Sequence, residues 1–457
     1  MTVVIKPSVS PETDIGAPPT SRGPIARSIA ASVAAGLGTA LALALMVFPG
    51  AAESTITGSM LVGFGLGWAL MGLLSTRLTS CPQRWTAVPA IAMGASGLGL
   101  LVVRPDSAAM TWISWSWPAP MLALVFWMSV QVRRGPSGPG RWLLAPVIAV
   151  LGLAAVAASY ENIVVVRDQR TFAAPGAMYD VGGHELYLDC HGHGSPTVVL
   201  ANGLGEVSAS WARIVDRVDD TTRVCAYDRA GQGWSQDAAS PQDGQAAALD
   251  LHRLLSVAGE QGPYLLVGHS IGGTYAMTYA AQYPEQVAGM VLLDSSSPEQ
   301  FTTLPSYAGQ YAVAHRVMAL APTLSRLGLG RVVAAVAPSH LPAAAADQVR
   351  SLTSNAHAAR SVSGEWQVLP DLFAQARALT TLGSRPLAVL TASESVEKTD
   401  GWAAAQDQLA TLSSNRVHRV VASTHVGLLE DQPGSDEAVR AIDDIITAVR
   451  TSSHVHD

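Results

Sequence analysis

The sequence predicts an all-α membrane region followed by a mainly parallel α/β domain, on three observations. First, residues 28–48, 58–76, 86–103, 109–132 and 143–160 contain no Asp, Glu, Lys or Arg. Each is long enough, or nearly so, to cross a hydrocarbon core of about 30 Å as a helix. Second, charged residues return beyond residue 160, where short β-like apolar runs alternate with helical patterns over about 300 residues, enough for one large domain. Third, residues 264–273 read YLLVGHSIGG, an apolar run that passes directly into a serine flanked by glycines.

In chain order, the first element is a tail, residues 1–26, whose Pro7, Pro11, Pro18, Pro19 and Pro24 point to disorder. Five candidate spans follow over residues 27–160, too many for a cleaved signal peptide to explain. The shortest, 86–103, holds Pro89 and several glycines and has a re-entrant segment as its alternative. Basic residues cluster before the first span (Lys6, Arg22, Arg27), between the second and third (Arg77, Arg84) and between the fourth and fifth (Arg133, Arg134, Arg141). The intervening loops hold Glu53, Arg104 and Asp106. Basic loops stay in the cytoplasm, so the N-terminus is expected there and residues 161–457 outside, in an integral protein of the cell membrane. Trp112, Trp115, Trp117, Trp127 and Trp142 are suited to interfacial belts. Gly63-x-x-x-Gly67 permits close helix packing.

In the α/β domain the expected strands are 178–181, 185–190, 197–201, 222–227, 264–267, 289–293, 386–391 and 417–421. After the strand that starts at Tyr264, Gly268-His269-Ser270-Ile271-Gly272 fits the G-x-S-x-G nucleophile elbow, which presents a serine hydroxyl where a strand turns sharply into a helix. Gly268 and Gly272 would let strand and helix pass closely. The helix formers from Thr274 to Tyr283 end at Pro284, as that turn requires.

Residues 175–450 resemble the α/β-hydrolase superfamily in several ordered motifs. After the strand TVVLANGLG, Asn202-Gly203-Leu204-Gly205 occupies the family's oxyanion-loop position, with Asn202 in place of the usual His. Ala226-Tyr227-Asp228-Arg229-Ala230-Gly231-Gln232-Gly233-Trp234-Ser235 looks like the family's D-x-x-G-x-G-x-S turn, a structural element. The resemblance implies an eight-stranded, mainly parallel sheet with a helical lid at about 298–385, and a carboxylesterase- or lipase-like serine hydrolase. Ser270 would be the nucleophile and His425, in the loop after the last strand, the base that takes its proton. The acid is either Asp294, at the end of MVLLD, or Glu394, after the following strand. Backbone amides of Leu204 and Ile271 would form the oxyanion hole. Cys190 and Cys225 fall on strands that neighbour each other in the family's sheet order, so a disulfide between them is geometrically open and would persist in an oxidising compartment. Cys81 falls in an expected cytoplasmic loop. In the lid, Met318, Leu320, Leu324 and Leu327 are candidates for an apolar acyl pocket.

Other chemistries lack support. His191 and His193 alone are too few for zinc, and no cofactor or metal is expected. With a net charge of −7 and only two lysines, at 6 and 398, the chain shows no basic patch for nucleic acid. The spans lack the ionisable residues that ion-coupled carriers need. The expected partners are a lipid bilayer and a small-molecule or lipid ester. A catalytically inactive, hydrolase-like binding or receptor module, or an acyltransferase, is the alternative. Substrate and oligomeric state stay open.

Overall fold

The computed structural model describes residues 23–79, 82–134, 139–239 and 242–455. Cys81 and most of the expected tail, residues 1–22, lie outside these. The expected tail boundary at residue 26 falls inside the first helix, Gly23–Ala42, which closes in a π-turn at Leu43–Val47.

Among the described residues, four helices are long and apolar enough to cross a membrane: Ile25–Val47, Glu53–Leu78, Arg84–Val103 and Trp142–Thr171. The expected span 109–132 is not one straight helix. Ser107–Ser116 and Pro118–Arg134 meet at a bend of 42° and count as a fifth span only when taken together. Pro118 explains the bend, because proline lacks the N–H that would continue the ladder and its ring clashes with the carbonyl four residues earlier. Gly63-x-x-x-Gly67 is used within the chain. A Cβ on Gly63 would lie 2.4 Å from the Ala40 nitrogen, and one on Gly67 would lie 3.0 Å from the Ser32 carbonyl oxygen, so first and second spans touch backbone to backbone.

The last span does not stop at residue 160. Its helix continues to Thr171, because Glu161 and Asp168, which look like a helix-ending charged stretch in the sequence, are both paired with Arg331. The α/β domain begins immediately after it. Its strands are β1 (Ala177–Asp180), β2 (Glu185–His191), β3 (Val198–Ala201), β4 (Val224–Tyr227), β5 (Tyr264–His269), β6 (Val287–Leu293), β7 (Leu387–Ala392) and β8 (Arg416–Val421). They form one sheet in the order β1-β2-β4-β3-β5-β6-β7-β8, antiparallel at β1-β2-β4 and parallel from there to β8. The central strands β3, β4 and β5 are buried along their whole length, as a sheet covered on both faces requires. One face packs on helices Gly244–Val257 and Ile271–Gln282 through Leu254, Leu255, Met277 and Tyr279. The other packs on Ala212–Val218 and Gln432–Thr451 through Ile214, Val218, Ile442 and Ile446. Cys190 and Cys225 are directly opposite in the β2/β4 register and are joined by a disulfide.

Between β6 and β7 the chain forms a lid of helices, from Gln300–Thr303 to Ala356–Ala376. The lid rests on the candidate membrane helices. Arg326 donates to both carboxylate oxygens of Glu53 at the start of the second span, and Arg360 reaches the same carboxylate at 3.4 Å. Arg331 bridges Glu161 at 2.5 Å and Asp168 at 2.7 Å, and the hydroxyls of Thr57 and Thr323 meet at 2.8 Å. Leu320, expected in an acyl pocket, instead packs with Ala319 on Ala44 and Ile56 of the first two spans. Its place in a stripe of lid leucines could not show which side of the lid it would face.

Candidate active site

At the end of β5 the backbone turns through Ser270 with φ 55° and ψ −126°, and the helix Ile271–Gln282 starts at the next residue. A side chain at such a φ is strained, and strain of this kind is kept only where the surroundings over-determine it. Here the Ser270 amide donates to the Leu293 carbonyl of β6 at 3.1 Å, and the Ser270 carbonyl accepts from the amides of Gly273 and Ser296. The flanking glycines are sterically required. A Cβ on Gly268 would lie 2.5 Å from the Gly273 backbone, and one on Gly272 would lie 2.1 Å from the Ala201 carbonyl oxygen of β3.

The loop after β8 carries His425 to the same sheet edge, where its Nδ1 lies 2.6 Å from Asp294 Oδ2. Asp294 ends β6 with φ 41° and is fully buried. Its carboxylate also accepts from the Ala392 amide at 3.1 Å, the Trp402 indole at 2.7 Å and the Ser395 hydroxyl. Burial alone would raise its pKa, but hydrogen bonds from His425, Ser395 and Trp402 outweigh that and hold the carboxyl below its ordinary value. Glu394 stands differently. It pairs with Lys398 near the surface, and its Oε2 accepts from the His425 backbone amide at 3.2 Å, so it touches the loop and not the ring.

Under Ser270 lies a buried polar network that the linear sequence did not reveal. His269 is enclosed completely; its Nδ1 is 2.6 Å from Glu206 Oε1 and its Nε2 is 3.0 Å from the His425 carbonyl. The rings of His269 and His425 stand 4.5 Å apart. Glu206 Oε2 accepts from the Gly203 amide at 2.5 Å, so the Glu206–His269 pair ties the β3 loop to the histidine loop. On the other side of the β3 loop, Arg229 donates to the carbonyls of Asn202 and Gly203 and pairs with Glu365 of the lid helix Ala356–Ala376, which accepts also from the Gly205 amide at 3.2 Å. The Asn202 side chain replaces the family's usual His as a buried hub. It donates to the Tyr227 carbonyl and to Asp228, and accepts from the Trp211 indole at 2.8 Å. Thus Asp228 and Arg229 serve structure. Leu204 leaves this loop among apolar neighbours, beside Ile271, Tyr275, Phe301, Tyr307, Tyr311, Trp366 and Phe373.

A pH profile of stability follows from the buried pair. Burial favours neutral His269, but Glu206 and the His425 carbonyl outweigh it and raise its pKa; burial likewise favours protonated Glu206, but His269 and the Gly203 amide outweigh that and lower it. The His269 contribution is complete below its unfolded pKa of about 6.5 and is lost as pH rises through the higher folded value. The Glu206 contribution is present above about 4.3 and is lost as pH falls through the lower folded value. Thermal unfolding in lipid nanodiscs should therefore show its plateau between those two limits. Glu206→Gln should remove the acid limb and invert the other, stability then falling as pH drops below about 6.5, because burial without the carboxylate favours the neutral imidazole. An unaltered profile would separate the pair from stability.

Ser270, Asp294 and His425 thus follow one another along one edge of an eight-stranded, mainly parallel α/β sheet. A family model described as "alpha/beta hydrolase fold" matches residues 196–320, and the segment from β1 to the last helix has that fold, joined to helices that are membrane-span candidates. A solved protein from Nostoc sp PCC 7120, described as "a putative alpha/beta hydrolase", superposes with a TM-score of 0.50 at 18% identity, over 59% of this chain and 97% of that one. Among curated proteins, an uncharacterized protein of Schizosaccharomyces pombe is 26% identical over 323 residues, 60% of this chain and 56% of that protein. Lipase LipV of Mycobacterium tuberculosis is 38% identical over 111 residues, 24% of this chain and 41% of that protein. The chain spans from 20% to 56% of the length of the first four curated relatives it matches.

Proposed function

We propose that this chain is a membrane-anchored serine hydrolase that cleaves a carboxylic ester, with its α/β domain facing away from the cytoplasm. The observation that carries the proposal is His425 Nδ1 at 2.6 Å from the buried Asp294, on the sheet edge where Ser270 is held at φ 55°. In the proposed reaction Ser270 Oγ attacks the ester carbonyl carbon while its proton passes to His425 Nε2. Asp294 accepts from Nδ1–H, fixing the tautomer and stabilising the imidazolium. The oxyanion takes hydrogen bonds from the backbone amides of Leu204 and Ile271, the Gly203 amide being engaged by Glu206. Collapse expels the alcohol, which takes the His425 proton, and water repeats the sequence on the acyl-enzyme to release the acid.

An apolar acyl group is favoured by the wall of Leu204, Ile271, Phe301, Tyr307, Tyr311, Trp366 and Phe373 beside the two amides. Two observations support the outward orientation: the basic loops at alternate span ends, and the Cys190–Cys225 disulfide, a bond that persists in oxidising compartments. The test is a membrane-impermeant fluorophosphonate applied to intact cells. Labelling of the wild type that disappears in His425→Ala supports both activity and orientation. Labelling only after lysis reverses the orientation, and no labelling of folded protein removes the hydrolase proposal in favour of a binding module.

A further inference from the structure

The lid helix Leu329–Val336 exposes almost its entire apolar face. Leu329, Val332, Val333 and Val336 are 46%, 62%, 63% and 79% exposed. At 3.6 residues per turn they form one stripe, about 100–200° around the axis from Arg331, with Gly330 and Ala334 on the remaining side. Two of these three sides have partners. Arg331 reaches Glu161 and Asp168 of the last span, and a Cβ on Gly330 would lie 2.2 Å from the Ser354 carbonyl oxygen in the body of the lid. That body separates the helix from the sheet, since Leu369, Leu372 and Phe373 of Ala356–Ala376 pack on Ile271 and Tyr275. The apolar stripe therefore faces away from the sheet, from the body of the lid and from the last span.

Its level is set by the same contacts. The last span candidate, Trp142–Thr171, has 30 residues, about 45 Å of helix against a hydrocarbon core of about 30 Å. Counting about 20 residues from Trp142 brings the bilayer exit to Glu161, the residue Arg331 binds. Arg326, just before the lid helix, is held by Glu53 at the start of the second span. Both anchors sit at the start of the segment and hold it where the second and last spans leave the bilayer.

We propose that Leu329–Val336 lies in the interfacial layer of the bilayer, with Leu329, Val332, Val333 and Val336 among the acyl chains of the lipids. Glu161 and Asp168 hold the Arg331 guanidinium on the opposite side, so the helix is immersed without burying a charge in lipid. The occupant of the stripe is lipid because Arg326 and Arg331 hold the start of this helix to Glu53 and Glu161, at the level where the spans leave the bilayer. The proposal rests on the spans crossing a bilayer and is independent of the hydrolase chemistry.

The experiment uses the full chain with Cys81→Ser, the disulfide intact, and one new cysteine at a time: Val333→Cys, Val336→Cys, Leu153→Cys on the last span, or Val257→Cys on the α/β domain. Each carries an environment-sensitive fluorophore and is placed in nanodiscs of dioleoylphosphatidylcholine or of the same lipid brominated on its acyl chains. All four sites are exposed, so the substitutions spare the core, and circular dichroism verifies the fold. The expected result is a blue-shifted emission at 333 and 336 and a loss of intensity in brominated discs comparable to that at 153, with none at 257. Emission at 333 and 336 that resembles 257, while 153 is quenched, overturns the proposal. A blue shift without bromine quenching also overturns it and assigns the stripe to a second copy of the chain. Failure of quenching at 153 overturns the membrane crossing itself and the proposal with it.

Discussion

Ser270→Ala should lower ester turnover by about 10⁴–10⁶-fold and abolish fluorophosphonate labelling, while leaving the thermal midpoint of the protein unchanged. The size of the loss follows from removing the only atom that forms the covalent intermediate; what remains over the water rate comes from the oxyanion amides and binding. The unchanged midpoint follows from where the elbow's bonds are made. Ser270 holds its turn through its backbone, by its amide to Leu293 and its carbonyl to Gly273, Ser295 and Ser296, and its hydroxyl carries none of these. Alanine keeps all four and has the same Cβ. Turnover of a chromogenic ester and thermal unfolding measured on the same preparation provide the check. Undiminished turnover would place the nucleophile elsewhere, and a collapsed midpoint would show that the hydroxyl braces the turn.

Local periodicity made much of this architecture legible. All eight strands stand out as β-branched or apolar runs between turn residues, and each is found within a few residues of its expected place. Gly268 and Gly272 could be read as sterically necessary because a turn that tight leaves room for no Cβ, and the distances to Gly273 and Ala201 agree. Pro118 was an available signal for the bend in the span 109–132, masked by the uniform apolarity around it. What was illegible is held together by long-range contacts. Glu365 meets Arg229 across 136 positions and Glu206 meets His269 across 63, and a lone carboxylate in a loop or helix carries no local trace of such a partner. The lid's contacts with Glu53, Glu161 and Asp168 are of the same kind. They turn charges that resemble solvated span ends into buried partners of arginines more than 160 residues away.

The choice of acid between Asp294 and Glu394 was open in the sequence because both follow strands, and the path of the loop after β8 sets which carboxylate faces the imidazole. Asp294→Asn should lower kcat by about 10⁴-fold, whereas Glu394→Gln should change it by no more than about fivefold. The carboxylate of Asp294 accepts from four donors, His425, Ala392, Ser395 and Trp402. An amide in its place has one oxygen and one NH₂. With the oxygen toward the Ala392 amide and the indole, the NH₂ faces His425 Nδ1 and forces the imidazole proton onto Nε2, where it opposes Ser270 instead of accepting from it. The Glu394 carboxylate, by contrast, accepts from the His425 amide and a surface lysine, and glutamine retains an acceptor for that amide. Rates for both variants across pH, with fluorophosphonate labelling as an independent readout of nucleophile reactivity, distinguish the two roles. A large loss in Glu394→Gln with a small one in Asp294→Asn would mean that the histidine loop rearranges in the working enzyme to bring Glu394 to the ring. The buried Asp294, bound by Ser395 and Trp402, would then be a structural brace for the chain between β7 and the following helix.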